Sequence, residues 1–143
     1  MPTVLEEKGG ALLTRQLPGF YVPGLIEKKR VLSWLGIDRK FVRSFDGLRL
    51  KVPTYDRIDG PDDFSLIEMK VTEKYLPDLG DHPKGFFFGM TENEEMLMKV
   101  LGPKACLCLV SVHPDSEGYF IANWDQLNTL DMNKRIQYQI TIR

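Results

Sequence analysis

Residues 54–72 read Thr54-Tyr55-Asp56-Arg57-Ile58-Asp59-Gly60-Pro61-Asp62-Asp63-Phe64-Ser65-Leu66-Ile67-Glu68-Met69-Lys70-Val71-Thr72. From Phe64 onward the stretch is apolar and free of breakers, which predicts a strand over 64–72. Side chains alternate along a strand, so Ile67, Met69 and Val71 point into a core while Glu68 and Lys70 share the opposite face. Such a charged pair on an apolar strand is costly unless it faces water or a ligand. The run Asp59-Gly60-Pro61-Asp62 reads as a turn. Folding the chain back there brings Asp56, on the preceding strand, roughly opposite Glu68. Two carboxylates and an ammonium then converge.

Working upstream, Leu48, Leu50 and Val52 alternate with Arg49 and Lys51, giving a strand that continues past Pro53 to about Ile58. Asp46-Gly47 is a strong turn pair, and Phe41–Phe45 before it reads as a further strand. Three strands joined by two tight turns form an antiparallel meander. Leu25–Leu35 has the spacing of a short amphipathic helix, with Gly36 as its stop. The first 24 residues carry Gly9-Gly10, Pro18-Gly19 and Pro23-Gly24, which break regular structure repeatedly. They are expected to form an arm or lead-in to a single domain over 25–143.

Downstream, residues 73–90 hold two prolines and three glycines and read as loop, with Phe86-Phe87-Phe88 as an apolar anchor. Thr91-Glu92-Asn93-Glu94 has the form of a capping box, opening a helix to about Leu101 that Gly102-Pro103 ends. Ala105–Val112 and Gly118–Ala122 read as strands, Trp124–Leu127 as a helical turn, and Ile136–Ile142 as a final alternating strand. The order is α-β-β-β-α-β followed by extra β. It predicts an α+β fold, a sandwich of one mixed sheet and two helices.

The 143 residues fit one compact domain. A hydrophobic content of 43% with 27% charged residues is ordinary for a soluble globular protein. No apolar run approaches the ~18 residues of a membrane span, and the start lacks the basic and apolar regions of a secretory signal. A cytoplasmic location without membrane partners is expected. Cys106 and Cys108 are too close together to staple the fold and, without further ligands nearby, read as small buried thiols.

The net charge of −1 argues against a protein that coats nucleic acid nonspecifically. Charge is nevertheless uneven: residues 20–58 carry nine Lys or Arg against four acids. A locally basic surface suits a partner bearing phosphates, although a solvated helix face has the same composition.

Carboxylate oxygens of Asp56 and Glu68, with a backbone carbonyl such as that of Met69, make a hard oxygen site suited to Mg²⁺ or Mn²⁺. A metal there polarises a phosphodiester oxygen and acidifies a bound water. Lys70 can orient or deprotonate that water, or stabilise charge in the transition state. A cross-strand salt bridge without chemistry uses the same three residues.

Asp56 followed by Ile67-Glu68-Met69-Lys70-Val71, with a helix before and a helix plus strand after, resembles the PD-(D/E)xK nuclease superfamily. Within it, Glu27, Arg43-Ser44, Asp56 and Ile67-Glu68-Met69-Lys70-Val71-Thr72 are most similar to the archaeal-type Holliday junction resolvases. The likeness covers roughly residues 25–125. It implies a restriction-endonuclease-like core, metal binding by Asp56 and Glu68, catalysis by Lys70, and possible participation of Glu27 in the metal site. It further implies a Mg²⁺-dependent endonuclease of DNA repair or recombination, nucleoid-associated and working as a homodimer. A catalytically degenerate DNA-binding subunit of a larger nucleic-acid-processing complex is the alternative. Pro61-Asp62 lies only six residues before Glu68, too near the hairpin tip to sit opposite it, so the motif aspartate falls to Asp56, with Asp59 and Asp46 as further candidates.

Lys28, Lys29, Arg30, Arg43, Arg49 and Lys51 are candidate contacts to backbone phosphates, and Ser44 a candidate phosphate ligand. His82 and His113 have no partner at metal-binding spacing and read as loop residues. Phe86, Phe87 and Phe88 cannot all be buried on one face; at least two are expected in the core, and one is free to cover an interface or stack on a base. Trp124 reads as core.

Overall fold

A computed structural model describes residues 2–143. Helix α1 (Val4–Gln16) leads into β1 (Phe20–Tyr21), α2 (Leu25–Leu35), β2 (Gly47–Leu50) and β3 (Phe64–Thr72). Helix α3 (Glu92–Leu101), β4 (Ala105–Ser111), β5 (Gly118–Asn123) and the short α4 (Trp124–Leu127) follow. The strands form one sheet in the order β1-β2-β3-β4-β5. Neighbours run antiparallel except β3 and β4, which are parallel and therefore need the crossover that contains α3. The expected α+β architecture with a mixed sheet flanked by helices is observed.

The alternation of β3 divides the core into two. Phe64 and Leu66 face a cluster with Val31 and Leu32 of α2, Leu97 and Met98 of α3, and Leu127 of α4. Ile67 faces the other side, where Leu12 and Leu13 of α1 and Leu17 pack with Cys108 and Val110. Both caps read from the sequence form. Thr91 and Glu94 exchange hydrogen bonds at the start of α3, and Gly36 ends α2 in the left-handed region at φ 69°. Phe86 and Phe88 pack edge to face beside the core, whereas Phe87 is exposed. Trp124 is half-buried against the same core.

Four segments depart from the sequence reading. The arm expected over residues 1–24 is a packed helix and strand, Met1 lying outside the described residues. Gly9 sits where an added Cβ would come within 2.5 Å of Val71 Cγ2, so it allows α1 to lie close on β3 rather than breaking the helix. Phe41–Phe45 is a 3₁₀ turn and bend instead of a strand, the Val42 and Ser44 amides bonding back to the Arg39 and Phe41 carbonyls, with both aromatics buried in the core. The strand through Arg49 ends at Leu50, before Pro53, and Tyr55–Arg57 is a 3₁₀ turn. Ile136–Ile142 pairs with no strand among the described residues. No helix is long and apolar enough to cross a membrane.

Candidate active site

The site exists because β3 outruns β2. Their ladder begins with Gly47 opposite Ile67, so beyond Ile67 one side of β3 is held by β4 and the other opens into a notch. Asp46, the residue before β2, closes the inner end of that notch. Its amide donates to the Ile67 carbonyl at 2.8 Å, and its Oδ2 accepts the Met69 amide at 2.7 Å. The result is a cleft of about 320 Å³ lined by Thr3 and Glu6 of the first helical turn, Asp46, Glu68, Lys70 and Glu94. A strand residue sends its N–H and C=O to the same side, so the Met69 carbonyl also faces the notch.

Glu68 is 6% exposed. Its Oε1 lies 3.3 Å from Lys70 Nζ; its Oε2 is buried and, with Glu68 ionised, has no hydrogen-bond partner, whereas a protonated Glu68 hydrogen-bonds to the Glu94 carboxylate. Burial, reinforced by the neighbouring Asp46 and Glu94 carboxylates and only partly opposed by Lys70, pushes the Glu68 carboxyl up to about 10. Asp46 is also pushed up, by burial first, with the Met69 amide, Lys28 and Lys70 opposing. Burial alone would lower the Lys70 ammonium, but Glu68 and Glu94 outweigh it and hold the group above its ordinary range. Lys70 Nζ donates to Glu94 Oε1 at 2.9 Å, the same oxygen that accepts the Thr91 amide. Glu94 is held below the ordinary range despite its burial, by Glu68, the Thr91 amide and Lys70.

Glu68 and Lys70 therefore share one face as the alternation of β3 requires, and Met69, whose side chain packs on the other face, brings only its backbone to the notch beside Asp46; Asp56 does not join them. Asp56 is exposed in the 3₁₀ turn after β2, bonded to the Thr54 hydroxyl, which lowers its pKa. The register fixed by Gly47 and Ile67 gives the opposing position to Asp46 instead. Asp59 is likewise exposed, its amide donating to Asp63. Glu27 is engaged elsewhere: it accepts the Gly24 amide and the Tyr21 hydroxyl, each at 2.9 Å, and so caps its own helix away from the cleft.

The acid that a first helix brings to the cleft is Glu6 of α1, hidden in the sequence behind Gly9-Gly10. Glu94 was visible only as a capping residue. Its second role needs α3 to start beside the end of β3, which spacing along the chain does not specify.

Of the basic candidates, Lys28 lies near enough to act on Asp46 and covers the Phe45 ring at 5.3 Å. Arg30, Arg43, Arg49 and Lys51 are exposed and Lys29 is half-buried. Ser44 is 5% exposed, buried by the turn that precedes Asp46, and offers no hydroxyl to a phosphate.

Among the described residues no three Asp, Glu, His or Cys side chains gather closely enough to enclose an ion by themselves. A Mg²⁺ site does not require that, since this ion keeps several waters and takes one or two carboxylates. Asp46, Glu68 and the Met69 carbonyl fit such a site, and the orphaned Glu68 Oε2 is the atom with most to gain from a cation. No family model, curated protein or solved structure matches the chain.

Proposed function

We propose that the chain is a divalent-metal-dependent endonuclease that hydrolyses phosphodiester bonds in DNA, with Asp46, Glu68 and Lys70 as its reactive set. The observation that carries this reading is Glu68, whose buried Oε2 has no partner when ionised, set between Asp46 and Lys70 on a cleft of about 320 Å³. The PD-(D/E)xK resemblance supports it in a revised form, with Asp46 in place of Asp56 and Glu6 in place of Glu27. This reading takes α1-β1-β2-β3-α3-β4, with α2 inserted, as the restriction-endonuclease-like core that the resemblance implies.

Hydrolysis forms a bond from a water oxygen to phosphorus, breaks the bond to the leaving oxygen, and delivers a proton to it. A Mg²⁺ or Mn²⁺, if bound, would be held by Asp46, Glu68 and the Met69 carbonyl and would supply Lewis acidity toward the phosphate and the attacking water. Lys70, bonded to the Glu94 carboxylate at 2.9 Å and 3.3 Å from Glu68, is held protonated and is suited to stabilise charge at the phosphoryl oxygens rather than to remove a proton. Lys28, close enough to act on Asp46, would contact a backbone phosphate without sequence preference, whereas Lys51 lies at the start of β3, the end away from the cleft.

The sequestration of Glu68, 6% exposed and with its carboxyl pushed up to about 10, favours a second reading, a nuclease-fold subunit that binds DNA without cutting it. One assay separates the two. Plasmid, duplex, single-stranded and branched DNA and RNA are incubated with Mg²⁺ or Mn²⁺. The endonuclease cleaves at least one DNA, and E68Q and K70A each lose cleavage while keeping the fold. Salt-sensitive binding in EDTA with no cleavage assigns the binding subunit.

A further inference from the structure

The sheet has two edges of unequal kind. β1 is two residues long and lies between Pro18 and Pro23, so that edge is blunted. β5 has six residues, Gly118–Asn123, with neither proline nor charge among them. It pairs with β4 on one side and with nothing on the other among the described residues. Alternate N–H and C=O groups along its outer edge are therefore free, and Tyr119, Phe120 and Ile121 are half-exposed.

The chain also carries a strand without a sheet. Residues 136–142, Ile136-Gln137-Tyr138-Gln139-Ile140-Thr141-Ile142, alternate strictly, yet Ile136, Tyr138, Ile140 and Ile142 are 85%, 81%, 83% and 93% exposed. Leu130 and Met132 still pack against the core, and Lys134 lies 5.6 Å from the centre of the Trp124 ring. Beyond that anchor the segment leaves its own β5 without a backbone bond to it. Seven residues at ~3.3 Å each span roughly the length of β5. Charges match as well. Lys134 and Arg135 precede the segment and Arg143 follows it, while Asp115 and Glu117 precede β5 and Asp125 follows it. Pairing in either direction sets base against acid at both ends.

We propose that residues 136–142 add as a sixth strand to the outer edge of β5 in a second copy of this chain, two copies exchanging strands in a closed symmetric dimer. Each exchange satisfies one free edge and covers one alternating apolar stripe. The proposal is independent of the nuclease reading.

Sedimentation velocity on the full chain across about 1–100 μM, where mass action governs association, tests it together with hydrogen exchange of the β5 amides. Ile140→Pro removes a donor in mid-segment, and Tyr138→Asp places a charge in the stripe; both lie in a segment that makes no core contact. The expected result is a wild-type mass about twice that of the monomer. Its outward β5 amides are protected, and both features are lost in Ile140→Pro and weakened in Tyr138→Asp. A monomer at every concentration overturns the proposal, whether its β5 edge is open or covered by its own tail. A dimer that survives Ile140→Pro with β5 still protected overturns it equally.

Discussion

Lys70 Nζ lies 2.9 Å from Glu94 Oε1, and that oxygen also accepts the Thr91 amide at 2.9 Å. One carboxylate thus caps α3 and fixes the lysine that faces the cleft. Glu94 is in this account a positioning residue. Glu94→Gln removes the charge and keeps an acceptor, so cleavage is expected to fall by about 10–100-fold. Its pH profile should also change: with one carboxylate gone, Lys70 loses its proton at lower pH and the alkaline limb moves down. A melting-temperature drop with an unmoved limb would leave Glu94 as a cap alone.

Glu68 links stability to pH in an unusual direction for an acid. Its carboxyl is pushed up to about 10 against an ordinary value of 4.5, mainly by burial. The folded chain therefore keeps a proton that the unfolded chain releases. The resulting stabilisation is present in full below about pH 4.5 and is lost progressively as pH rises toward 10. Without metal, thermal stability should fall over that window, and Glu68→Gln should flatten the slope. Mg²⁺ or Mn²⁺ selects the carboxylate, so its stabilising shift should be larger at pH 9 than at pH 6. A shift that does not grow with pH would remove Glu68 from the metal site.

Gly9 and Gly10 are neighbours on α1 with opposite tolerances. A Cβ at Gly10 meets nothing within 4 Å, whereas one at Gly9 comes within 2.5 Å of Val71 Cγ2. Gly10→Ala should therefore gain about 1 kcal/mol of helix propensity, raising the melting temperature by roughly 3–5 °C. Gly9→Val should cost about 1–3 kcal/mol through overpacking. It should also weaken cleavage by lifting Glu6 away from the cleft. Equal responses at the two glycines would contradict the close packing of α1 on β3.

Much of this fold was legible because local signals agreed with one another. The alternation of 64–72 gave β3 and put Glu68 and Lys70 on one face; Thr91, Glu94 and Gly36 bounded two helices. Where reading failed, a long-range contact overrode a local cue. Gly9-Gly10 is a breaker by propensity but a contact surface once β3 lies beneath it. Asp46-Gly47 has the composition of a hairpin turn, yet the register with Ile67 makes Asp46 the partner of Glu68. Asp56 has the expected distance from Glu68 along the chain, but Pro53 and the 3₁₀ turn after it lead that carboxylate into solvent. Ile136–Ile142 has the pattern of a strand, and a pattern does not supply a neighbour.

The choice between Asp46 and Asp56 concentrates the functional account in one comparison. Mg²⁺-dependent cleavage of a DNA substrate is measured for the wild-type chain, Asp46→Asn and Asp56→Asn, each checked for an intact fold. Asp46→Asn is expected to lose about a hundredfold or more, and Asp56→Asn to match the wild type. Full activity in Asp46→Asn, or no cleavage by the wild-type chain with any substrate and metal, would contradict the assignment.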